Sequence, residues 1–418
     1  MTERQMAEQL LDRFCRYVQI DTQANESATC YPSSAGQLEL GRLLRQELQA
    51  MGLTNAVQTE QGLVYATIPA TVAHRVPTIA LFAHLDTSPE TTGANVKPQV
   101  HRHYDGRDLV LPGDPSRVLR PSDNPALAAL VGKTIITTDG TTLLGADNKA
   151  GVAVIMQLAA YLLAHPEIPH GPIRICFTCD EEIGRGVDHV DLAELGAEVG
   201  YTLDGAGVGE IEAETFSADK AVVTIHGINI HPSIGKGRMV NALRLAGLLL
   251  DRLPRATLAP ETTEGREGFI HPVSIEGGVA QTVVRLILRD FDTQRLAQHG
   301  QLLRDLARLI EAEYPQARVE VQITPQYRNM AEGLAKEPRA VAYAQEAMRQ
   351  AGLTPRLLSL RGGTDGALLT AKGLPTPNLS TGEHNPHSPL EWTCLEEMET
   401  ALRVAVELAK VWARHAAA

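Results

Sequence analysis

The sequence predicts an α/β protein, a mixed sheet flanked by helices, interrupted by a smaller inserted α+β unit. Three observations carry this. Helix-period segments and apolar strand-like runs alternate through the first half, as an α/β sheet requires. From residue 221 to about 324 the order changes to strand, helix, strand, strand, helix, strand, the ferredoxin-like βαββαβ order. The α/β alternation then resumes. At 418 residues the chain exceeds one ordinary core, and its boundaries read as 1–215 and 328–418 for the larger domain and 216–327 for the insertion.

The opening segment is amphipathic, with Leu10, Leu11, Phe14 and Val18 at helical spacing. Residues 36–51 keep that period through Leu38, Leu40, Leu43, Leu44 and Leu48 and stop at Gly52, a good helix terminator. Residues 63–68 and 78–82 read as strands, the second so apolar that both faces are expected to be buried. A strong helix follows at 149–164, then buried strands at 173–178 and 199–203. The inserted unit has helices expected at 240–253 and 293–313, and later strands at 269–275, 282–289 and 319–323. A helix at 337–350, a strand at 357–360 and a closing helix at 395–414 complete the larger domain. The Gly- and Pro-rich stretch 361–389 is too loop-rich for core and reads as a site-forming segment.

Thirty-eight basic against 50 acidic residues give a formal charge of −12, which argues against nucleic acid or an anionic membrane as main partner. No run of roughly 18 apolar residues occurs, so no membrane span is expected. The N-terminus does not read as a signal peptide. Five cysteines, an odd number, suggest a reducing cytoplasm. Cys176-Phe177-Thr178-Cys179 has the short redox spacing but lies inside the strand-like run 173–179, so structural thiols are the better reading.

Five separated stretches hold acids and histidines suited to metal binding: His84-Leu85-Asp86, Asp147-Asn148-Lys149, Asp180-Glu181-Glu182, Asp204-Gly205, and His387 with Glu391. Four of them follow apolar strand-like runs, and a sheet gathers strand ends. Two histidines and several carboxylates without thiolates suit two hydrolytic zinc ions better than one structural zinc. His84 and Asp86 point the same way from a strand end, so Asp86 is a candidate orienter of the imidazole. Asp147 directly precedes a helix and reads equally as its N-cap or as a carboxylate bridging two cations. Adjacent Glu181 and Glu182 allow one to bind metal while the other takes a proton from water. His384 lies three residues before His387, and spacing alone leaves the last ligand open between them. Arg361-Gly362-Gly363-Thr364-Asp365-Gly366 leads into a helix and offers N–H groups to an anion, without the ending of a P-loop.

These motifs, together with Ile136-Thr137-Thr138-Asp139-Gly140, Met239-Val240-Asn241-Ala242-Leu243, Arg289-Asp290-Phe291 and 361–367, carry a resemblance that runs nearly end to end. The chain resembles the peptidase T family, tripeptide aminopeptidases of the di-zinc metallopeptidase clan. The resemblance implies the zinc-peptidase sheet, makes the inserted unit a lid, and implies two Zn2+ per chain, with Co2+ or Mn2+ as substitutes. It assigns one zinc to His84 and Asp204 and the other to Glu182 and His387. Asp147 bridges them, Asp86 orients His84, and Glu181 is the general base. His387 rather than His384 falls on the ligand position. In the lid, His231 matches a histidine that polarises the scissile carbonyl, and Arg289 an arginine at the substrate's carboxylate end. Asn241 and Arg361 are further expected substrate contacts, although His231 and Asn241 also read as ordinary loop caps. A closing lid implies hinges at 214–217 and 326–329.

Short peptides are then the expected substrates, a monomer or homodimer the expected assembly. Asn148 stands where the family commonly has a second Asp, Cys179 replaces a Pro, and Ser388-Pro389-Leu390 is less polar than the family's loop. These departures spare the ligands and suggest an altered substrate preference. An aminoacylase, carboxypeptidase or desuccinylase of the same clan is the nearest alternative, and a metal- or peptide-binding protein without turnover a second. Glycoside hydrolysis by paired carboxylates is weaker, since it gives His84 and His387 no role.

Overall fold

Buried apolar side chains make Ile79–His84, Ile173–Thr178 and Val199–Leu203 the parallel centre of an eight-stranded sheet in the computed structural model, which describes residues 3–415. The chain divides into two compact units. The first comprises Met1–Ala213, Glu332–Leu358 and Thr364–Ala418; the second is Glu214–Ala331 with Ser359–Gly363. The second unit thus takes in residues 214–215, 328–331 and 359–363, which the sequence reading assigned to the larger domain.

The sheet runs in the order Val57–Gln58, Val64–Ile68, Ile173–Thr178, Ile79–His84, Val199–Leu203, Asn378–Leu379, Glu210–Thr215, Arg356–Leu360. Register decides what this sheet can do. His84 pairs with Thr178, and Phe82 with Thr202, so the carboxyl ends of the three central strands finish side by side. The segments that follow them begin at Leu85, Cys179 and Asp204, at the sheet edge where open α/β folds place their ligands. Helix Ala146–Ala164 is buried on nearly every face, because Glu3–Val18 and Leu395–Arg414 pack on it from outside and the Ile79–His84 strand from within.

Segment 361–389 departs from expectation. The helix expected after the glycine-rich motif forms, as Asp365–Ala371, but is buried, and a buried strand, Asn378–Leu379, lies between Val199–Leu203 and Glu210–Thr215. Pro375 and Pro377 hid this strand, since proline donates nothing to a ladder. Their carbonyls still accept, from Gly200 N–H at 2.9 Å and Thr202 N–H at 3.2 Å. A second small sheet of Gln99–His101, Ile135–Thr137, Glu383–His384 and Trp392–Cys394 was also not anticipated; strands of two or three residues show no periodicity. All five cysteines are free. Burial pushes the Cys176 and Cys179 thiols well above their usual range, which suits inert packing. No helix among the described residues is long and apolar enough to cross a membrane.

In the second unit four antiparallel strands lie in the order Phe269–Gly277, Gln281–Asp290, Ser217–His226, Arg318–Tyr327, the ferredoxin-like arrangement. Helices Ala242–Arg252 and Thr293–Glu313 share one core with the sheet, through Leu245, Leu249, Leu303 and Ile310 against Val223, Ile225 and Leu286. At the unit's base, Phe216 packs against Phe269 and Phe291. Beside it Glu214 accepts hydrogen bonds from the Arg266 guanidinium, from Ser359 Oγ at 2.6 Å and from Asn329 Nδ2 at 3.3 Å. The Arg266 bonds, helped by those of Ser359 and Asn329, outweigh partial burial and hold the Glu214 carboxyl down to about 2, against an ordinary 4.5. A depressed carboxyl stabilises the fold above its unfolded value and loses that contribution as pH falls towards the folded one. Arg266→Ala is therefore expected to cost about 0.5–1 kcal/mol at pH 7. The difference from wild type should shrink between about pH 4.5 and pH 2, as followed by denaturant melts across that window.

Candidate active site

His84 ends its strand, almost fully buried, with Nε2 2.9 Å from Asp147 Oδ1 and 3.5 Å from Asp204 Oδ1. Its Nδ1 lies 3.1 Å from the Asp86 backbone carbonyl and 3.4 Å from Asp86 Oδ1. The two Asp86 oxygens also accept the Glu181 N–H at 3.1 Å and the Glu182 N–H at 3.0 Å. One buried carboxylate therefore fixes the imidazole and the acidic pair of the neighbouring strand end.

Asp147 is delivered by a helix start that is not an ordinary cap. Gly145 has φ 81, and Asp147 and Asn148, joined by a cis peptide, are non-helical. The capping bond is made by Asn148, whose Oδ1 accepts the Gly151 N–H at 3.2 Å. That leaves both Asp147 oxygens free of the helix. Glu391 holds the turn in place: Oε2 accepts Leu144 N–H at 2.6 Å and Gly145 N–H at 2.7 Å, and Oε1 accepts Asp147 N–H at 3.0 Å. A Cβ at Gly151 would stand 2.0 Å from Leu203 O. Glycine thus lets the helix lie against the strand end that presents Asp204.

The Asp180-Glu181-Glu182 turn is pinned through Asp180, fully buried and at φ 62. Asp180 accepts from Ser33 Oγ at 2.5 Å, Ser33 N–H at 2.8 Å and Gln37 Nε2 at 2.7 Å. His387 stands in the loop between Glu383–His384 and Trp392–Cys394, with Nε2 2.9 Å from Glu182 Oε2 and 3.3 Å from Asp147 Oδ2. His384 is engaged elsewhere: its Nε2 lies 2.7 Å from Glu397 Oε2 and its ring stacks on Trp392 at 3.8 Å.

Two sets of ligand atoms result, His84 with Asp147 and Asp204, and Asp147 with Glu182 and His387, each within 4.8 Å. Their chemistry fits two divalent cations: imidazole nitrogens and carboxylate oxygens, no thiolate, and one carboxylate common to both. Glu182 Oε1 is buried with no hydrogen-bond partner, an orphan that a cation would satisfy. Burial alone would raise Asp147, but His387 and His84 outweigh it and hold it below the usual carboxylate range. Burial, opposed by His84 and reinforced by Asp365, Asp204 and Glu182, pushes Glu181 well above that range. Such a group keeps a proton where an ordinary glutamate would not.

Sequence reasoning missed two buried acids here. Asp365 accepts from Thr178 Oγ1 at 2.9 Å, and Glu383 from Thr381 Oγ1 at 2.6 Å. Burial raises both, with Asp204 among the neighbouring charges. Asp365 lies inside the glycine-rich motif at 361–366, which is the signal that could have found it; nothing in the pattern marks Glu383.

Four named residues belong to the second unit, each with local partners. His231 Nδ1 lies 2.7 Å from Ser233 Oγ. Asn241 caps a helix through Leu243 and Arg244 N–H at 3.0 and 3.3 Å. Arg289 donates to Leu288 O at 2.9 Å and Gln326 Oε1 at 3.2 Å and lies over Tyr327. Arg361 donates to Thr263, Gly265 and Glu267 and lies over Phe216 and Phe269, so its guanidinium already has a structural occupation.

Glu391→Gln tests the turn, because an amide cannot offer two acceptor oxygens to three N–H donors. It is expected to cost about 1–3 kcal/mol and to weaken cation binding by about 10–100-fold. Thermal melts and chelator competition read the two effects.

Residues 139–411 match the model of peptidase family M20/M25/M40. The chain is 44% identical over 411 residues to a protein named peptidase T from Geobacillus sp. strain WCH70, covering 98% of this chain and 100% of that one. It is 46% identical over 404 residues to another of that name from Desulfitobacterium hafniense strain Y51, covering 97% and 98%. In fold it is similar to the aminopeptidase PepT of Bacillus cereus ATCC 10987 (TM-score 0.77, 24% identity, 97% of this chain and 99% of that one). It is equally similar to a tripeptidase of Staphylococcus aureus Mu50 (TM-score 0.78, 24% identity, 98% and 99%). A candidate two-cation site on strand ends, and nearly full-length likeness to these relatives, place the chain in the peptidase T family, within peptidase family M20/M25/M40.

Proposed function

We propose that this chain is a di-zinc aminopeptidase that releases the N-terminal residue of short peptides, tripeptides in particular. The observation that carries the reading is the pair of ligand sets sharing Asp147, with Glu181 beside them. Relatives that bear the name peptidase T, and fold neighbours described as an aminopeptidase and a tripeptidase, support it. Zinc suits two imidazoles and carboxylate oxygens; cobalt or manganese are expected substitutes. Five free thiols suit a cytoplasmic location.

His84, Asp147 and Asp204 would hold one cation, and Asp147, Glu182 and His387 the other. When bound, such a pair supplies electrophilic activation of a carbonyl and of water. Glu181, ionised once cations offset the neighbouring carboxylates, takes the proton of the attacking water and passes it to the departing amine. Asp86 keeps His84 and the Glu181 backbone in register throughout. His231 is assigned to the developing oxyanion and Arg289 to the far carboxylate. Asn241 and Arg361, given their local bonds, shape the surfaces that carry those contacts.

Glu181→Gln is expected to lower turnover by at least ~100-fold while two cation equivalents remain bound; loss of both would make Glu181 a ligand. A free tripeptide should be cleaved and its N-acetyl form refused, since an aminopeptidase requires the free amine; cleavage of both sinks the reading. Arg289→Ala should erase most of the preference for tripeptides over di- and tetrapeptides, by about 10–100-fold in relative kcat/KM.

A further inference from the structure

The turn at residues 88–91 grips His387 from two sides. Thr91 Oγ1 donates to the His387 backbone carbonyl at 2.6 Å, and Glu90 Oε2 lies 3.3 Å from His387 Nδ1. The opposite ring nitrogen, Nε2, is the one that meets Glu182 and Asp147. His387 needs such support more than His84 does. Its side chain is 36% exposed against 2% for His84, and its backbone holds φ 61. His84 has two Asp86 oxygens behind its ring, whereas the oxygen placed near His387 Nδ1 is Glu90 Oε2, at 3.3 Å.

Glu90 is 70% exposed, yet its backbone is fixed. Ser88 Oγ accepts its N–H at 3.3 Å, and the Gln23 amide donates to the carbonyls of Ser88, Pro89 and Thr91 at 3.4, 3.2 and 3.1 Å. An imidazole offers one nitrogen to a cation when the other carries the proton, and an acceptor for that N–H fixes both tautomer and ring angle.

We propose that Glu90 is a positioning residue for His387: it accepts the Nδ1–H hydrogen bond, turns Nε2 towards Asp147 and Glu182, and sets the cation affinity of that half of the site alone. The inference rests on the two-cation reading above. It makes the His387 half tunable from the protein surface, while the His84 half is tuned only from the interior.

Titration of metal-depleted protein with Co2+ against a competing chelator resolves the two binding steps. Wild type should take up two equivalents. Glu90→Ala should weaken one step by about 10–100-fold and leave the other within about twofold. Glu90→Gln, whose amide oxygen still accepts, should recover most of the loss. In a His387→Ala background Glu90→Ala should add nothing, the signature of one shared pathway. Wild-type constants for Glu90→Ala, or equal weakening of both steps, overturn the proposal. So does a change confined to KM for free-amine peptides, which would make Glu90 a substrate contact. Fewer than two equivalents on wild type would instead remove the two-cation reading itself.

Discussion

The position of the Asp147 carboxylate governs both halves of the site, because each of its oxygens faces a different histidine: Oδ1 meets His84 and Oδ2 meets His387. A displacement of about 1 Å would loosen both sets together, as shared ligands leave no slack. The chain meets this demand with backbone rather than with side-chain packing. Glu391 collects three N–H groups of the turn, and Gly151 brings the helix against Leu203. The residue before Asp204 and the glycine one helical turn after Asp147 therefore meet in one contact.

Around that contact the protein buries several acids, and it treats them in two ways. Asp86 and Glu391 receive two and three backbone N–H bonds, and Asp180 receives backbone, hydroxyl and amide donors. Asp365 and Glu383 receive one hydroxyl each, and burial pushes Asp365 up to about 7 and Glu383 well above its usual range. Burial pushes Glu391 up to about 7 as well, so its three donors hold its geometry without holding its carboxyl down. Lys149 lies within the same fold, almost fully buried, with Nζ 2.7 Å from Ile20 O and its ammonium pulled down to about 8 by burial. An interior this rich in carboxyls favours bound cations, since leaving the charges unpaired is the dearer state.

Much of the fold was legible because its signals are local. Thr293–Glu313 and Leu395–Arg414 begin and end where their apolar periods do, and the strands leading to His84, Asp180 and Asp204 are mostly apolar runs. The site was less legible where function borrows an ordinary structural role. Asp147 reads as an N-cap because a cap is needed there; the neighbouring Asn148 makes it. The choice between His384 and His387 depends on Glu397 and Trp392, which no spacing within the loop can reveal. Asn378–Leu379 escaped because prolines beside it silence the strand pattern while their carbonyls still accept bonds.

The five segments that meet at Asp147 come from residues as far apart as His84 and His387, which ties assembly of the site to completion of the sheet. Loops of this length close late, after local helices and hairpins have formed. His387, the last of these residues, follows every strand of the central sheet in chain order, so a growing polypeptide holds the parts of a peptidase without its assembled candidate site. Hydrolytic capacity then arrives only with a finished fold.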